Sequence, residues 1–151
     1  STSAHRRFFG AEPTIGELGK LTGTERIVKG AVVITSPDEE ARIARFAEYF
    51  ADRLYFSHVT TPAFPGITFI NLLAPATTKG AALEVLSAHL GLSLTEVAAV
   101  GDGQNDISLL ATAGRGIAMG NAPDELKDIA DHVTRDVDEH GLAAAIKELL
   151  L

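Results

Sequence analysis

Apolar and polar positions alternate regularly along the second half of the chain. Three short apolar runs predict buried strands, at 97–100, 116–119 and 132–133. Two amphipathic segments between them predict helices, near 106–113 and 123–130. A last helix is predicted with an apolar face of Leu142, Ile146 and Leu149. Strands and helices that alternate at this spacing predict an α/β fold, with a parallel sheet and crossover helices.

The first half of the chain has a different pattern. Three runs rich in β-branched or aromatic residues predict strands, at 27–35, 54–60 and 67–73. A helix is predicted after the first strand, with Ser36 as N-cap, Pro37 at its first position and Glu39 completing a capping box. Pro75 marks a boundary. We therefore expect a mixed α+β unit over residues 1–75 and a βα-alternating unit over 76–151.

The second unit begins with a helix that carries a lysine at its first position. Thr78 can cap this helix, Gly91 can end it, and the predicted apolar face consists of Leu83, Leu86 and Leu90. A cation such as Lys79 is unfavourable at a helix N-terminus, where the helix dipole is positive. An anion bound at the same place would explain it. The alternative is a solvated surface lysine.

A glycine-rich segment with two carboxylates, Gly101 to Asp106, follows the predicted strand 97–100. Open α/β sheets bind ligands at the carboxyl ends of their strands. Asp102 and Asp106 suit Mg²⁺, for which one or two carboxylates suffice because the ion retains several waters. Asn105 adds an amide donor for a phosphate oxygen. The alternative is a loop in which Asp102 and Asn105 only cap the next helix.

Other polar segments give weaker indications. Asn121 is predicted to help start the helix near 123–130, with a place in the site wall as the alternative. The glycines from Gly114 to Gly120 do not fit a dinucleotide loop, because their spacing is off by one and they surround a strand. The Asp136-Val137-Asp138 segment is predicted to be a polar loop. The five histidines show no paired metal-ligand spacing.

Composition excludes several classes of function. The chain has 151 residues, of which 46% are hydrophobic, and its formal net charge is −7. This charge argues against nucleic acid or an anionic membrane surface as the main partner. No apolar run approaches the roughly 20 residues of a membrane span. The chain contains no cysteine, which is compatible with a reducing compartment, and we expect a cytoplasmic protein.

Four segments in order resemble the haloacid dehalogenase-like (HAD) phosphatases of the Cof-type branch. They are Thr78–Leu83, Gly101–Asp106, Ala113–Ala122 and Asp138–Leu142. The resemblance covers about Ile27 to Leu151. It implies that residues 76–151 are the C-terminal half of a Rossmann-like core. Residues 1–75 would be part of an inserted α+β cap domain.

The resemblance also implies an activity, which is the hydrolysis of small phosphorylated metabolites with Mg²⁺. Lys79 would stabilise the phosphoryl group and the charge of the nucleophile. Asp102 would bind Mg²⁺, Asp106 would act through its water shell, and Asn105 would orient the phosphate. Electrostatic stabilisation of this kind is most of the work in phosphoryl transfer.

One family segment is missing from this chain. The nucleophile of the family lies in an Asp-x-Asp-Gly-Thr segment, whereas here no aspartate precedes Asp38. We therefore expect a C-terminal part of a longer phosphatase that is inactive, or nearly so, by itself. The missing strand would leave an open sheet edge beside 97–100, so we expect a dimer, a domain swap or a bound partner fragment.

Two other functions share these motifs. Phosphosugar mutases and the phosphorylation domains of ion-pumping ATPases carry the same Gly-Asp-Gly-x-Asn-Asp turn, and a requirement for a sugar bisphosphate would favour the mutase. The second alternative is a degenerate core that binds phosphate or a partner without turnover.

Overall fold

The computed structural model describes residues 6, 10, 16–20, 27–60 and 64–150. The chain forms two compact units, Ser1–Pro75 and Ala76–Leu151. Within the described residues, each unit contains one three-stranded sheet.

The sheet of the first unit is antiparallel, with strand order β1-β3-β2. Its strands are β1 (Gly30–Ile34), β2 (Tyr55–Thr60) and β3 (Thr68–Leu73). Helix α1 (Pro37–Tyr49) connects β1 to β2, and a 3-10 turn lies at Leu18–Lys20. In the central strand, Thr68 pairs with Ile34 on one side and with Thr60 on the other.

Helix α1 begins where the sequence predicts, but its capping box is built differently. The Ser36 hydroxyl accepts a hydrogen bond from the Glu39 amide at 3.4 Å. The shortest hydrogen bonds of the Glu39 carboxylate are with Thr35, whose amide and hydroxyl each donate to it at 2.8 Å. The predicted box is therefore present in its first bond, from the Glu39 amide to the Ser36 hydroxyl, while the Glu39 carboxylate binds mainly to Thr35.

The interior of the first unit lies on its central strand. Its buried apolar side chains, among the described residues, are Ile34, Phe69 and Ile70. Helix α1 contributes no fully buried residue. Its Phe46 ring packs against Phe50, at 4.5 Å between centroids, and meets Phe56 of β2 edge-on.

The second unit is built on a parallel sheet of order β4-β5-β6. Its strands are β4 (Ala98–Gly101), β5 (Arg115–Ala118) and β6 (His132–Val133). Its helices are α2 (Lys79–Leu90), α3 (Ile107–Thr112), α4 (Asp124–Asp128) and α5 (Gly141–Ala145), which continues as a π-helical turn over Ile146–Leu150. The predicted α/β fold with a parallel sheet and crossover helices is confirmed.

The core of the second unit lies between the sheet and its crossover helices. One cluster of buried side chains joins β4 and β5 to α3 and α4: Ala99, Leu110, Ala118, Ala122 and Leu126. Leu126 and Ile117 are completely buried. Small residues on the strands allow the two crossover helices to pack closely on the sheet.

The predicted apolar faces of two helices are largely exposed, although Leu83 of α2 is half-buried. In α2, Leu86 and Leu90 are more than half exposed, whereas Gly80 and Ser87 are buried. In α5, Leu142 is 52% exposed and Gly141 and Ala145 are buried. In the predicted set that continues past α5, Ile146 is 43% exposed, and the side chain of Leu149 lies outside the described residues. The described unit therefore packs these two helices through small residues rather than through leucines.

Candidate active site

The loop that follows β4 contains the candidate carboxylates. Asp102 is the first residue after the strand, and Asp106 ends a 3-10 turn, Gln104–Asp106, that leads into α3. Met119 directly follows β5, and its amide donates to the Gly101 carbonyl at 2.9 Å. The segment after β5 therefore continues alongside the end of β4. The loop therefore lies at the carboxyl edge of the sheet, where α/β folds place their ligand sites.

Asp106 is a buried carboxylate with several hydrogen-bond donors around it. The residue is 4% exposed. One oxygen, Oδ1, accepts from the Lys79 ammonium. The other, Oδ2, accepts from the backbone amides of Asp102 and Gly103, each at 3.1 Å. Since each carboxylate oxygen offers about two acceptor positions, one position on Oδ1 remains for another donor.

Lys79 joins two segments that are distant in sequence. It is the first residue of α2, its side chain is 48% exposed, and its ammonium group contacts Asp106. The Thr78 hydroxyl caps the helix by accepting from the Ala81 amide at 3.1 Å. An anion therefore does lie next to this helix N-terminus, and it is a side chain of the protein itself. The Lys79 side chain is therefore only half enclosed by the described residues.

Gly101 leaves space for Asp106, and Gly80 leaves space where α2 meets α3; the motifs contain both glycines but did not indicate either close approach. A Cβ atom on Gly101 would come within 2.5 Å of the Asp106 Cβ. A Cβ atom on Gly80 would come within 2.4 Å of the Ser108 carbonyl oxygen. A glycine in the first turn of a helix is an unfavourable choice, which is the signal that could have identified Gly80.

Asp102 differs from Asp106 in its surroundings. Its side chain is exposed, and no described residue donates a hydrogen bond to its carboxylate. Asn105 is half-buried and lies in the same loop. Gly103 is the N-cap of the 3-10 turn, and its amide donates to the Asp106 Oδ2 at 3.1 Å, with no side-chain cap from Asp102 or Asn105. The alternative in which Asp102 and Asn105 only cap the helix is therefore wrong.

Asn121 connects two loops. It is exposed, and its Oδ1 accepts from the Val137 amide at 3.1 Å. This bond joins the segment after β5 to a 3-10 turn over Val137–Glu139. Asp136 caps that turn by accepting from the Asp138 amide, as expected of a polar loop.

The donor set suits Mg²⁺ better than Zn²⁺. Within the described residues, no group of three or more His, Cys, Asp or Glu side chains is placed to bind a metal ion. The Asp102 and Asp106 pair supplies only carboxylate oxygens, together with one positive charge from Lys79. Mg²⁺ fits such a site, because it retains waters and needs few protein ligands, whereas structural zinc sites use four nitrogen or sulfur ligands.

Comparison with known proteins places these features in a family. A family model of haloacid dehalogenase-like hydrolases matches residues 18–146. The chain belongs to this family. The resemblance that the four motifs suggested is thereby confirmed for the HAD family as a whole.

This member of the HAD-like family is similar to curated phosphatases. It is 54% identical over 72 residues to Phosphatase YwpJ of Bacillus subtilis, a match that covers 48% of this chain and 25% of the relative. It is 36% identical over 81 residues to a phosphoglycolate phosphatase of Methanothermobacter thermautotrophicus, covering 54% of this chain and 37% of the relative. These names support a phosphatase-type hydrolase.

A solved structure of a haloacid dehalogenase-like hydrolase from B. subtilis shares the fold. Its TM-score is 0.74 at 32% sequence identity, and the match covers 90% of this chain and 46% of that one. The chain thus spans about half the length of this solved relative, and its matches cover 25% and 37% of the two curated phosphatases. Within the described residues, no helix has the length and apolar character needed to cross a membrane.

Proposed function

We propose that this chain is the C-terminal part of a Mg²⁺-dependent phosphate monoester hydrolase of the Cof-type branch. The observation that carries the proposal is the contact of Lys79 with Asp106, beside the exposed Asp102 carboxylate. A phosphate ester with a bound Mg²⁺ needs both a cation and carboxylates at one place. The site has one positive and two negative side chains, a balance that attracts a divalent cation.

Each site residue has a separate role in this proposal. Lys79, whose side chain is half exposed, binds a phosphoryl oxygen, while Asp106 fixes its position. Asp102 would hold Mg²⁺ directly, because this residue is exposed. Asp106 would act through the water shell of the ion with its remaining acceptor position. When present, Mg²⁺ neutralises negative charge on the phosphoryl group.

Asn105 and Asn121 are the proposed polar contacts to substrate. Asn105 lies in the Asp102 loop and donates through its amide to a phosphate oxygen. Asn121 uses its Oδ1 within the protein, so its amide nitrogen is the part that remains for a ligand. The substrate is a small phosphorylated metabolite, and the unit 1–75 corresponds to part of a cap domain.

The test uses a parent protein that contains the Asp-x-Asp-Gly-Thr segment, assayed on a panel of phosphate monoesters with and without Mg²⁺. We expect Asp102→Ala to remove nearly all metal-dependent hydrolysis. Asp128→Ala, which removes an exposed carboxylate from α4, is the matched control and should retain activity. Full activity in Asp102→Ala would contradict the assignment.

The same assay separates the alternative functions. Turnover that depends on an added sugar bisphosphate would indicate a phosphomutase. Binding of phosphate esters without hydrolysis by the parent protein would indicate a binding module. The chain of 151 residues alone is expected to show little or no turnover.

The proposed partner of the isolated chain is a second copy. Within the described residues, β4 pairs only with β5, so its other edge is open. Open edges pair readily with other strands. Light scattering should give the mass of a dimer, and a monodisperse monomer would contradict this proposal.

We further propose that the protein is cytoplasmic, a location that the absence of cysteine supports.

A further inference from the structure

The first turn of α2 is bound to α3 by a side chain that the proposed mechanism does not use. The first amides of a helix have no partner within the helix. In α2, the Ala81 amide donates to the Thr78 hydroxyl, whereas the Gly80 amide donates to the Ser108 hydroxyl at 3.2 Å. Ser108 lies in α3 and is 28 residues further along the chain. One capping hydroxyl of α2 is therefore supplied by another helix.

The backbones of the two helices are in contact at the same place. A Cβ atom on Gly80 would come within 2.4 Å of the Ser108 carbonyl oxygen and within 2.5 Å of the Thr112 hydroxyl. Gly80 is buried in this contact. Ser108 thus meets Gly80 with both its backbone and its side chain, and the start of α2 has little room to move toward α3.

This contact connects the two residues that form the ion pair. Lys79 directly precedes Gly80, and Asp106 lies two residues before Ser108. The hydrogen bond between Gly80 and Ser108 therefore joins the segment that carries the cation to the segment that carries the carboxylate. Without it, the Lys79 side chain would have to maintain the ion pair from a looser helix end, at the cost of its own conformational entropy.

We infer that Ser108 is a positioning residue, whose hydroxyl fixes the start of α2 so that the Lys79 ammonium stays at Asp106. The inference rests on the proposed function only for its consequence, which is anion binding at Lys79. The geometric part can be tested without any activity.

The test compares three variants of the full chain by NMR. The nuclear Overhauser effect between the Lys79 Hε and Asp106 Hβ protons reports the ion pair, and amide exchange at Gly80 reports the hydrogen bond. Ser108→Ala should speed Gly80 exchange and weaken the Lys79–Asp106 signal by up to about fivefold, the factor that corresponds to one ordinary hydrogen bond. Ser108→Thr, which retains the hydroxyl, should restore both signals.

The control variant is Ser93→Ala. Ser93 caps a different 3-10 turn, Leu94–Glu96, through its own hydroxyl, so its loss should leave the Lys79–Asp106 signal unchanged. An unchanged Lys79–Asp106 signal in Ser108→Ala, together with faster exchange at Gly80, would overturn the inference and make Ser108 a structural cap only. If Ser108→Ala does not fold, Ser108→Cys retains the volume with a weaker acceptor and gives the same comparison.

A titration with Mg²⁺ and inorganic phosphate separates this inference from the proposed function. If the wild-type chain shows the Lys79–Asp106 signal but binds neither ion, the proposed site is contradicted. The role of Ser108 in positioning Lys79 would still stand. If the wild-type chain binds phosphate, Ser108→Ala should weaken that binding by the same factor of about five, and Ser108→Thr should restore it.

Discussion

Helices in the two units are attached to their sheets in different ways. In the first unit, α1 contributes no buried side chain, and two cavities of about 260 and 360 Å³, both open to solvent, are lined by α1 and the sheet. In the second unit, α3 and α4 bury Leu110 and Leu126 against the small residues of β4 and β5. Asp106 lies in the second unit, where Gly101 leaves space for its side chain. The candidate site therefore belongs to the unit whose helices pack closely on the sheet.

The largest expected effect tests this difference directly. Leu126→Ala should destabilise the second unit by about 2–5 kcal/mol, because Leu126 is completely buried in a closed cluster. Ile43→Ala should cost the first unit less, because Ile43 is half-buried and borders both cavities beside α1. The chain has no tryptophan, so urea unfolding is followed by circular dichroism and NMR. Equal losses in the two variants would refute the comparison.

A smaller effect is expected from the ion pair. Asp106→Ala should destabilise the second unit by about 1–3 kcal/mol, because it leaves the amides of Asp102 and Gly103 without their acceptor. Lys79→Met retains the length of the side chain and should cost less, since the Asp106 carboxylate keeps its two amide donors. Thermal unfolding of both variants measures the difference. The opposite order would show that the ammonium, and not the two amides, is the main partner of Asp106.

The helix caps should show no such difference between the units, since capping is local. Ser36→Ala in α1 and Thr78→Ala in α2 each remove one capping acceptor and should each cost about 1 kcal/mol. Ser36→Thr and Thr78→Ser retain an acceptor and serve as controls. A much larger loss in Thr78→Ala would mean that the cap also supports the Lys79 site.

The smallest expected effect concerns pH. Hydrogen bonds from the Thr35 amide, and then from its hydroxyl, hold the pKa of the Glu39 carboxyl below its ordinary value of 4.5. A carboxyl with a lowered pKa contributes stability above its ordinary pKa, and this contribution is lost as the pH falls through the lower value. Between about pH 5 and pH 3, the stability of the first unit should fall less steeply with decreasing pH in Glu39→Gln than in the wild-type chain. An identical pH profile in the two proteins would show that Glu39 does not titrate with unfolding.

Local signals in the sequence identified the elements of the second unit. The structure places α2 at Lys79–Leu90, because Thr78 and Gly91 fix its ends through contacts within the helix itself. The buried face of α2 could not be derived in this way. Burial of Gly80 and Ser87, rather than Leu86 and Leu90, depends on the approach of α3, which is a contact between distant segments.

Only part of the candidate site could be predicted, because local patterns do not determine contacts between distant segments. Asp102 and Asp106 follow a predicted strand, so their place at the edge of the sheet could be derived from the pattern alone. The position of Lys79 at a helix N-terminus indicated an anion, but it did not indicate that Asp106, 27 residues away, would be that anion. Roles for Gly80, Gly101 and Ser108 depend on distances of a few ångströms between separate elements, which no spacing along the chain encodes.

The loop after β4 contains the acceptor for its own backbone. The amides of Asp102 and Gly103 both donate to the Asp106 carboxylate, and all three residues lie within a segment of five. The conformation of the loop therefore depends chiefly on the Asp106 side chain. Such a segment is portable. Residues 101–110, grafted between a parallel strand and a helix of an unrelated scaffold that leaves equivalent space beside Gly101, should keep their conformation and present an exposed carboxylate at the new sheet edge.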